Sequence, residues 1–360
     1  MKIYATSDIH GYNTERLDVL LERDFENTIL IDNGDFFIGS PHATYWNHQA
    51  GENQLVKIAN TIKFDAMVPG NHDFDYGLDF YLDRVSELDM PVIACNIFDN
   101  QDNHLFEPYT IITKGKQRIA IIGAVTSNLS QLTSFANTKD LRCQSAPQWI
   151  AKYVEALRDT VDVIVVSYHG GIECDLSTGH ETQYQTGEDE AYKIARSITG
   201  IDILICGHQH RENSGYVKDC HVIQVPDRLK KIAEITSHAP YALSWVIPQS
   251  RIREDEAYNK WLESTVDTRH LEAFVRQFLN GDVYDFELED NTVQAMITAF
   301  SSVYPMRAYT YNGFELASFP WCTVRDDACI VTNRQLDAYR LSAFTVANIF
   351  DLYYHHVFKP

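Results

Sequence analysis

Over roughly the first 235 residues, short apolar runs alternate with stretches whose apolar positions recur at helical spacing. The runs KIYAT, TILID, AMV, PVIAC, RIAIIGAV, VDVIVVS and IDILIC predict strands. Uninterrupted β-branched runs such as VDVIVV predict strands covered on both faces, the habit of parallel sheets in α/β proteins. Between them, residues 15–23, 53–63, 78–88, 146–158 and 188–198 predict amphipathic helices, some with acidic residues in the first turn. Strand-only segments follow at 215–217, 221–225 and 232–237. The pattern breaks near 241–253, where SWVIPQSRIRED begins, and a polar helical stretch at 255–279 predicts a connection to a second α/β unit. The expected organisation is therefore a first domain over 1–240, a helical linker over 241–279 and a smaller domain over 280–360.

Composition agrees with that division. A chain of 360 residues is long enough for two domains with buried cores. Apolar content of 45% and aromatic content of 12% are those of a globular protein. No run reaches the ~18 apolar residues that a membrane-spanning helix needs, so no membrane partner is expected. Met1-Lys2 leads directly into the first strand, leaving no room for a signal peptide, and seven cysteines without a C-x-x-C pair fit a reducing compartment. The expected location is cytoplasmic. Cys206, inside IDILIC, reads as a small buried hydrophobe. The net charge of −20 argues against a nucleic-acid backbone as partner and otherwise reports solubility. The oligomeric state leaves no trace in the sequence.

Candidate chemistry sits just beyond the strands. Five motifs carry seven potential metal ligands: Asp8 and His10 in TSDIHG, Asp35 in DNGDFF, Asn71 in VPGNHDFD, His169 in SYHGG, and His208 and His210 in CGHQH. Each motif alone has a plain structural reading, such as turn chemistry for Gly-Asn or a hydrogen-bonded histidine beside a strand. Together they gather outside the carboxyl ends of strands, where open α/β sheets bind ligands. The mixture of carboxylate, amide oxygen and imidazole suits two borderline divalent cations.

This ordered set resembles the calcineurin-like metallophosphoesterases, and within them the 5′-nucleotidase / UDP-sugar hydrolase / 2′,3′-cyclic-nucleotide phosphodiesterase group. NHDFDYG, with Asp75 three positions after His72, carries that narrower likeness, as do HGGIE, TGEDEAY and GIDILICGHQHRE. The resemblance covers residues 1–235 and implies an α/β fold, a two-sheet β-sandwich flanked by helices. It also implies two divalent ions: manganese, zinc or iron, with magnesium as a further option. Asp8, His10 and His210 would hold one ion, Asn71, His169 and His208 the other, and Asp35 would bridge them. The implied reaction is hydrolysis of a small nucleotide phosphoester by in-line attack of a metal-bridging hydroxide. His72 would contact the phosphoryl group or protonate the leaving oxygen, with Asp75 orienting its ring. A UDP-sugar or dinucleotide pyrophosphatase, or a non-catalytic metal-binding scaffold of the same fold, is the alternative.

The likeness fades after residue 235. ACIVTN stands where the family's Gly-rich substrate loop should follow, but the chain reads on from Asn333 as Arg334-Gln335, without those glycines. FTVANIFDLYY resembles the next family segment, and the sequence then ends, which predicts a shortened α/β C-terminal domain. The remaining histidines, including His42, His48, His104, His180, His221, His355 and His356, read as surface or structural groups.

Overall fold

The computed structural model describes residues 1–47, 49–133 and 135–249, and four strands between 307 and 330. Two compact units result, Met1–Glu254 and Asp255–Pro360. The second is described only as an antiparallel meander of Arg307–Tyr311, Phe314–Phe319, Cys322–Arg325 and Ala328–Ile330. The helix expected over 255–279, and the 331–360 segment with FTVANIFDLYY, lie outside the described residues.

The first unit is built on two sheets. One has five strands, in the order Leu243–Val246, Ile232–Thr236, Lys2–Thr6, Thr28–Asp32, Ala66–Met67. Its last three strands run parallel, and the first two complete it in antiparallel register. The other has six, in the order Asn213–Val217, Cys220–Gln224, Ile203–Cys206, Val163–His169, Gln117–Val125, Tyr109–Lys114. Its four central strands are parallel, with an antiparallel strand at each edge. A helix or long loop between successive parallel strands makes this order accessible.

The apolar runs explain why the sheets face one another. Residues alternate sides along a strand, so Ile3 and Ala5, Ile119 and Ile121, Val163 and Val165, and Ile203 and Ile205 all point into one shared layer. On the outer face of the six-stranded sheet, Ile164, Val166, Leu204 and Cys206 pack under the helices Ala146–Leu157 and Ala191–Ser197. On the outer face of the five-stranded sheet, Leu30 and Met67 meet Leu55, Val56, Ala59 and Ile62 of the helix Gln54–Ile62. That helix starts where Asn53 Oδ1 accepts from the N–H groups of Leu55 and Val56. The result is the expected sandwich flanked by helices, with Cys206 buried as expected.

Several boundaries differ from the sequence pattern. PVIAC forms only isolated bridges, Met67 to Val92 and Ile93 to Glu107, although Ile93, Ala94 and Cys95 are wholly buried. It is a core-filling loop rather than a strand. The strand Leu243–Val246 pairs with Ile232–Thr236, so the first domain runs past residue 240 into the region read as a linker. Residues 188–190 precede their helix, which begins at Ala191. Among the described residues, no helix is long and apolar enough to cross a membrane.

Ile205 is fully buried in the layer between the sheets, so Ile205→Ala should open a cavity that neither sheet can close. Equilibrium urea unfolding should show a loss of ~2–5 kcal/mol at unchanged m-value.

Candidate metal centre

All five motifs meet at one end of the sandwich. Asp8 lies two residues beyond Lys2–Thr6, Asp35 three beyond Thr28–Asp32, and Asn71 four beyond Ala66–Met67. His169 closes Val163–His169, while His208 and His210 follow Ile203–Cys206. Ligand types therefore arrive from both sheets. The loops are laced together by backbone bonds: Asp8 N–H donates to Gly34 O (2.9 Å), His10 N–H to Asp35 O (2.7 Å) and Gly207 N–H to Gly170 O (3.2 Å).

Local backbone geometry marks the same residues. Asp8, His10, Asp35, His208 and His210 have φ of 53°, 54°, 57°, 67° and 56°, a left-handed conformation that ordinary side chains enter only at a cost. Neighbouring glycines allow the loops to close around them. A Cβ on Gly70 would lie 2.1 Å from Asp35 Oδ1, and one on Gly207 would lie 2.0 Å from Ser7 Oγ and 2.5 Å from Asp8 Oδ2.

Two overlapping sets of donor atoms form: Asp8, His10 and His210, and Asp8, Asp35 and His169. Asp8, Asp35 and His169 are fully or almost fully buried. Asp35 Oδ2 faces both sets, 3.3 Å from His169 Nε2 and 3.8 Å from His10 Nε2. Asp8 Oδ1 lies 3.5 Å from His210 Nε2. Asn71 Oδ1 lies 3.2 Å from His169 Nε2, which places the amide oxygen in the second set.

The outer nitrogens of the imidazoles are already tied. Hydrogen bonding assigns Nδ1–H of His10 to Ile38 O (2.8 Å) and Nδ1–H of His169 to Asn33 O (2.7 Å), so both present Nε2 inward. His10 Nε2 and His210 Nε2 then face each other at 3.1 Å, two nitrogens aimed at one point. This donor set fits divalent cations of the borderline class. His208 is the exception. Its Nε2 sits 2.8 Å from Glu188 Oε1, while its backbone N–H donates to the Asp8 carboxylate at 3.0 Å.

Electrostatics shows how strongly the centre calls for positive charge. Burial alone would raise Asp35, yet the surrounding histidines, His169 first, hold it well below the usual carboxylate range. Burial lowers His169, but the charge of Asp35 outweighs it and pushes this imidazole up to about 10. Burial pulls His10 down to about 4, more than Asp35 restores, so its ring is neutral and able to donate a lone pair. His72 is held above its ordinary range, against burial, by the charges of Asp75 and Asp35. Its Nδ1 lies 2.8 Å from Asp75 Oδ2, its side chain is 41% exposed, and its ring centroid is 5.4 Å from that of His10.

The calcineurin-like phosphoesterase family model matches residues 1–212. The chain belongs to that family. Calcineurin-like phosphoesterases use divalent metal ions, and the converging donors are candidate ligands for them. Among curated relatives, the trifunctional nucleotide phosphoesterase YfkN of Bacillus subtilis is 28% identical, over 58% of this chain and 16% of its own length. The 2′,3′-cyclic-nucleotide 2′-phosphodiesterase/3′-nucleotidase of Haemophilus influenzae is 24% identical, over 65% of this chain and 40% of its own length. A crystal structure from Staphylococcus aureus assigned as a 5′-nucleotidase superposes with a TM-score of 0.65 at 30% identity, covering 74% of this chain and 58% of the other. The chain thus spans less than half the length of these two curated relatives.

Two functional groups in this calcineurin-like centre carried no assigned role in the sequence. For Glu188, inside TGEDEAY, helical spacing predicts a helix, whereas the structure puts it before the helix Ala191–Ser197. Asp73 follows the GNH motif, and its buried carboxylate accepts from the N–H groups of Gly70 (2.9 Å), Asp35 (3.0 Å) and Phe37 (3.0 Å). Acidic residues next to ligand motifs were the available signal. Of the other histidines, His104 bonds Tyr153 Oη and packs at a tilt against Phe98, and His221 stacks on Tyr216; both pack as structural groups. His48, His355 and His356 lie outside the described residues, as does the His42 side chain.

Asp73→Asn should turn an acceptor oxygen into an N–H₂ group facing backbone donors. Burying that mismatch should cost ~1–3 kcal/mol and displace Asp35, so thermal unfolding and metal retention should fall together.

Proposed function

We propose that the chain is a dinuclear metal-dependent hydrolase of small nucleotide phosphoesters, of the 5′-nucleotidase or cyclic-nucleotide phosphodiesterase type. The observation that carries this reading is the position of Asp35 Oδ2, reaching toward His10 on one side and His169 on the other. Asp8, His10 and His210 would hold one cation, Asn71, His169 and His208 the second, and Asp35 both. Such ions, when bound, supply positive charge for the phosphoryl oxygens and acidify water held between them. Imidazole-rich sites favour manganese, zinc or iron over calcium, which prefers oxygen shells.

The protein groups perform the rest. His72 stands half-exposed at the edge of the centre, with Nδ1 engaged by Asp75 and Nε2 left to face substrate. Asp75 and Asp35 favour its charged form, and as an imidazolium it would stabilise phosphoryl charge or give its proton to the leaving oxygen. The buried carboxylates and tied imidazoles hold the donors in place without reorganisation, the main source of electrostatic catalysis. The names of the relatives support nucleotides as the substrate class.

Protein purified without chelator should contain two divalent ions per chain by elemental analysis. A content near zero after exposure to manganese and zinc would sink the reading. A turnover panel of a nucleoside monophosphate, a 2′,3′-cyclic nucleotide, a UDP-sugar and a generic activated diester should then show which ester is hydrolysed; no turnover of any would favour a non-catalytic scaffold.

Two substitutions should separate binding from catalysis. Asp35→Asn should abolish activity and weaken both ions. His72→Asn should keep the metal content and lower kcat by roughly 10²–10⁴-fold, the range of a positioned acid or base. Equal metal loss in both variants would make His72 a ligand instead.

A further inference from the structure

The segment before the helix Ala191–Ser197 carries three consecutive carboxylates, and each faces a different neighbour. Asp189 accepts from the N–H of Gly171 and from Nε2 of Gln209 (2.8 Å). Glu190 accepts from Ser127 Oγ (2.7 Å) and from Lys193 Nζ (2.7 Å). These two fasten loops to one another. Glu188 alone reaches a candidate ligand ring, with Oε1 at 2.8 Å from Nε2 of His208. It does so from a fixed backbone, because its carbonyl accepts from both Thr126 Oγ1 (2.6 Å) and Tyr168 Oη (3.1 Å).

The polarity of this bond is opposite to that of its neighbours. His10 and His169 are tied through Nδ1 and present Nε2, whereas His208 is tied through Nε2, which leaves Nδ1 as the nitrogen open to a metal. The ring stays at the centre, with its centroid 5.5 Å from that of His169. Backbone carbonyls serve the other two, but here the partner is a side-chain carboxylate, which orients the imidazole.

We propose that Glu188 is a positioning residue for the second cation: it accepts the Nε2–H of His208 and thereby fixes the tautomer whose lone pair on Nδ1 is the ligand. The inference rests on the dinuclear reading above. It assigns a role to the acidic segment and predicts that the two ions differ in their dependence on it. The cation held by Asp8, His10 and His210 does not involve Glu188. The cation held by Asn71, His169 and His208 does.

The test is calorimetric titration of the metal-stripped full chain with Mn²⁺, comparing wild type, Glu188→Gln and Glu188→Ala. Wild type should bind two ions. Glu188→Ala should weaken one of them by about 10–100-fold and leave the other unchanged, as removal of an outer partner of a ligating histidine does. Glu188→Gln keeps an acceptor oxygen and should lose less, and it is the variant to rely on if the alanine protein does not fold. In the metal-free protein, long-range ¹H–¹⁵N spectra of the histidine rings should show the Nε2–H tautomer at His208 in wild type and its loss in Glu188→Ala. Wild type binding fewer than two ions would overturn the dinuclear reading itself. Two ions in wild type with unchanged affinities in both variants would overturn only the role of Glu188. Tighter binding in Glu188→Ala would show that the carboxylate competes with the metal for His208, and would overturn the proposal equally.

Discussion

Two carboxylates, Asp8 and Asp35, are removed almost completely from water within a few ångströms of each other's imidazole partners. A buried charge is costly unless it is paired, and everything around these two acids answers that demand. Histidines from three loops turn nitrogen toward them, backbone N–H groups of His72 and His208 donate to them, and the charge of Asp35 raises the His169 imidazole against burial. The left-handed backbone at five of the seven predicted ligands is the conformational cost of aiming so many groups at one small volume. The fold tolerates it because each strained residue sits on a loop pinned by bonds to its neighbours.

The sandwich was legible in the sequence where strands are covered on both faces. VDVIVV and IDILIC have no polar face, and the structure shows why: alternate residues serve the layer between the sheets and the layer under the helices. The same logic misread PVIAC, since periodicity cannot tell a buried strand from a buried loop of the same composition. Edge strands were harder. Tyr109–Lys114 is only half-buried along its length, and Leu243–Val246 is short and partly exposed, so neither carries a clear pattern. The stretch 15–23 has helical spacing, but it winds as a tighter 3₁₀ helix over Thr14–Glu22.

The candidate centre was more legible than the boundaries around it. Metal-ligand types at strand ends announce themselves because their alternatives, scattered turn residues, have no reason to converge. Asp8, His10, Asp35, His169 and His210 bring donor atoms together, Asn71 Oδ1 reaches His169, His208 turns its Nε2 to Glu188, and His72 pairs with Asp75 at the rim. The outer partners were illegible for a physical reason. Glu188 and Asp73 act through hydrogen bonds to groups distant in the chain, and an acidic residue on a loop looks the same in sequence whether it orients a ring or faces solvent.

His10 and His210 bring their Nε2 atoms within 3.1 Å across a sequence separation of 200 residues. A tie between them acts as a staple across much of the first unit, because the chain between includes two strands of the five-stranded sheet and four of the six-stranded one. The entropy of closing a loop grows only with the logarithm of its length, by ~0.6 kcal/mol per doubling, so a staple that long restricts an unfolded chain little more than a short one. Its particular effect is on order of assembly. His10 follows Lys2–Thr6 in the five-stranded sheet and His210 follows Ile203–Cys206 in the six-stranded one, so the two nitrogens meet only when the sheets face each other, which makes the centre a sensitive reporter of whether the sandwich has closed.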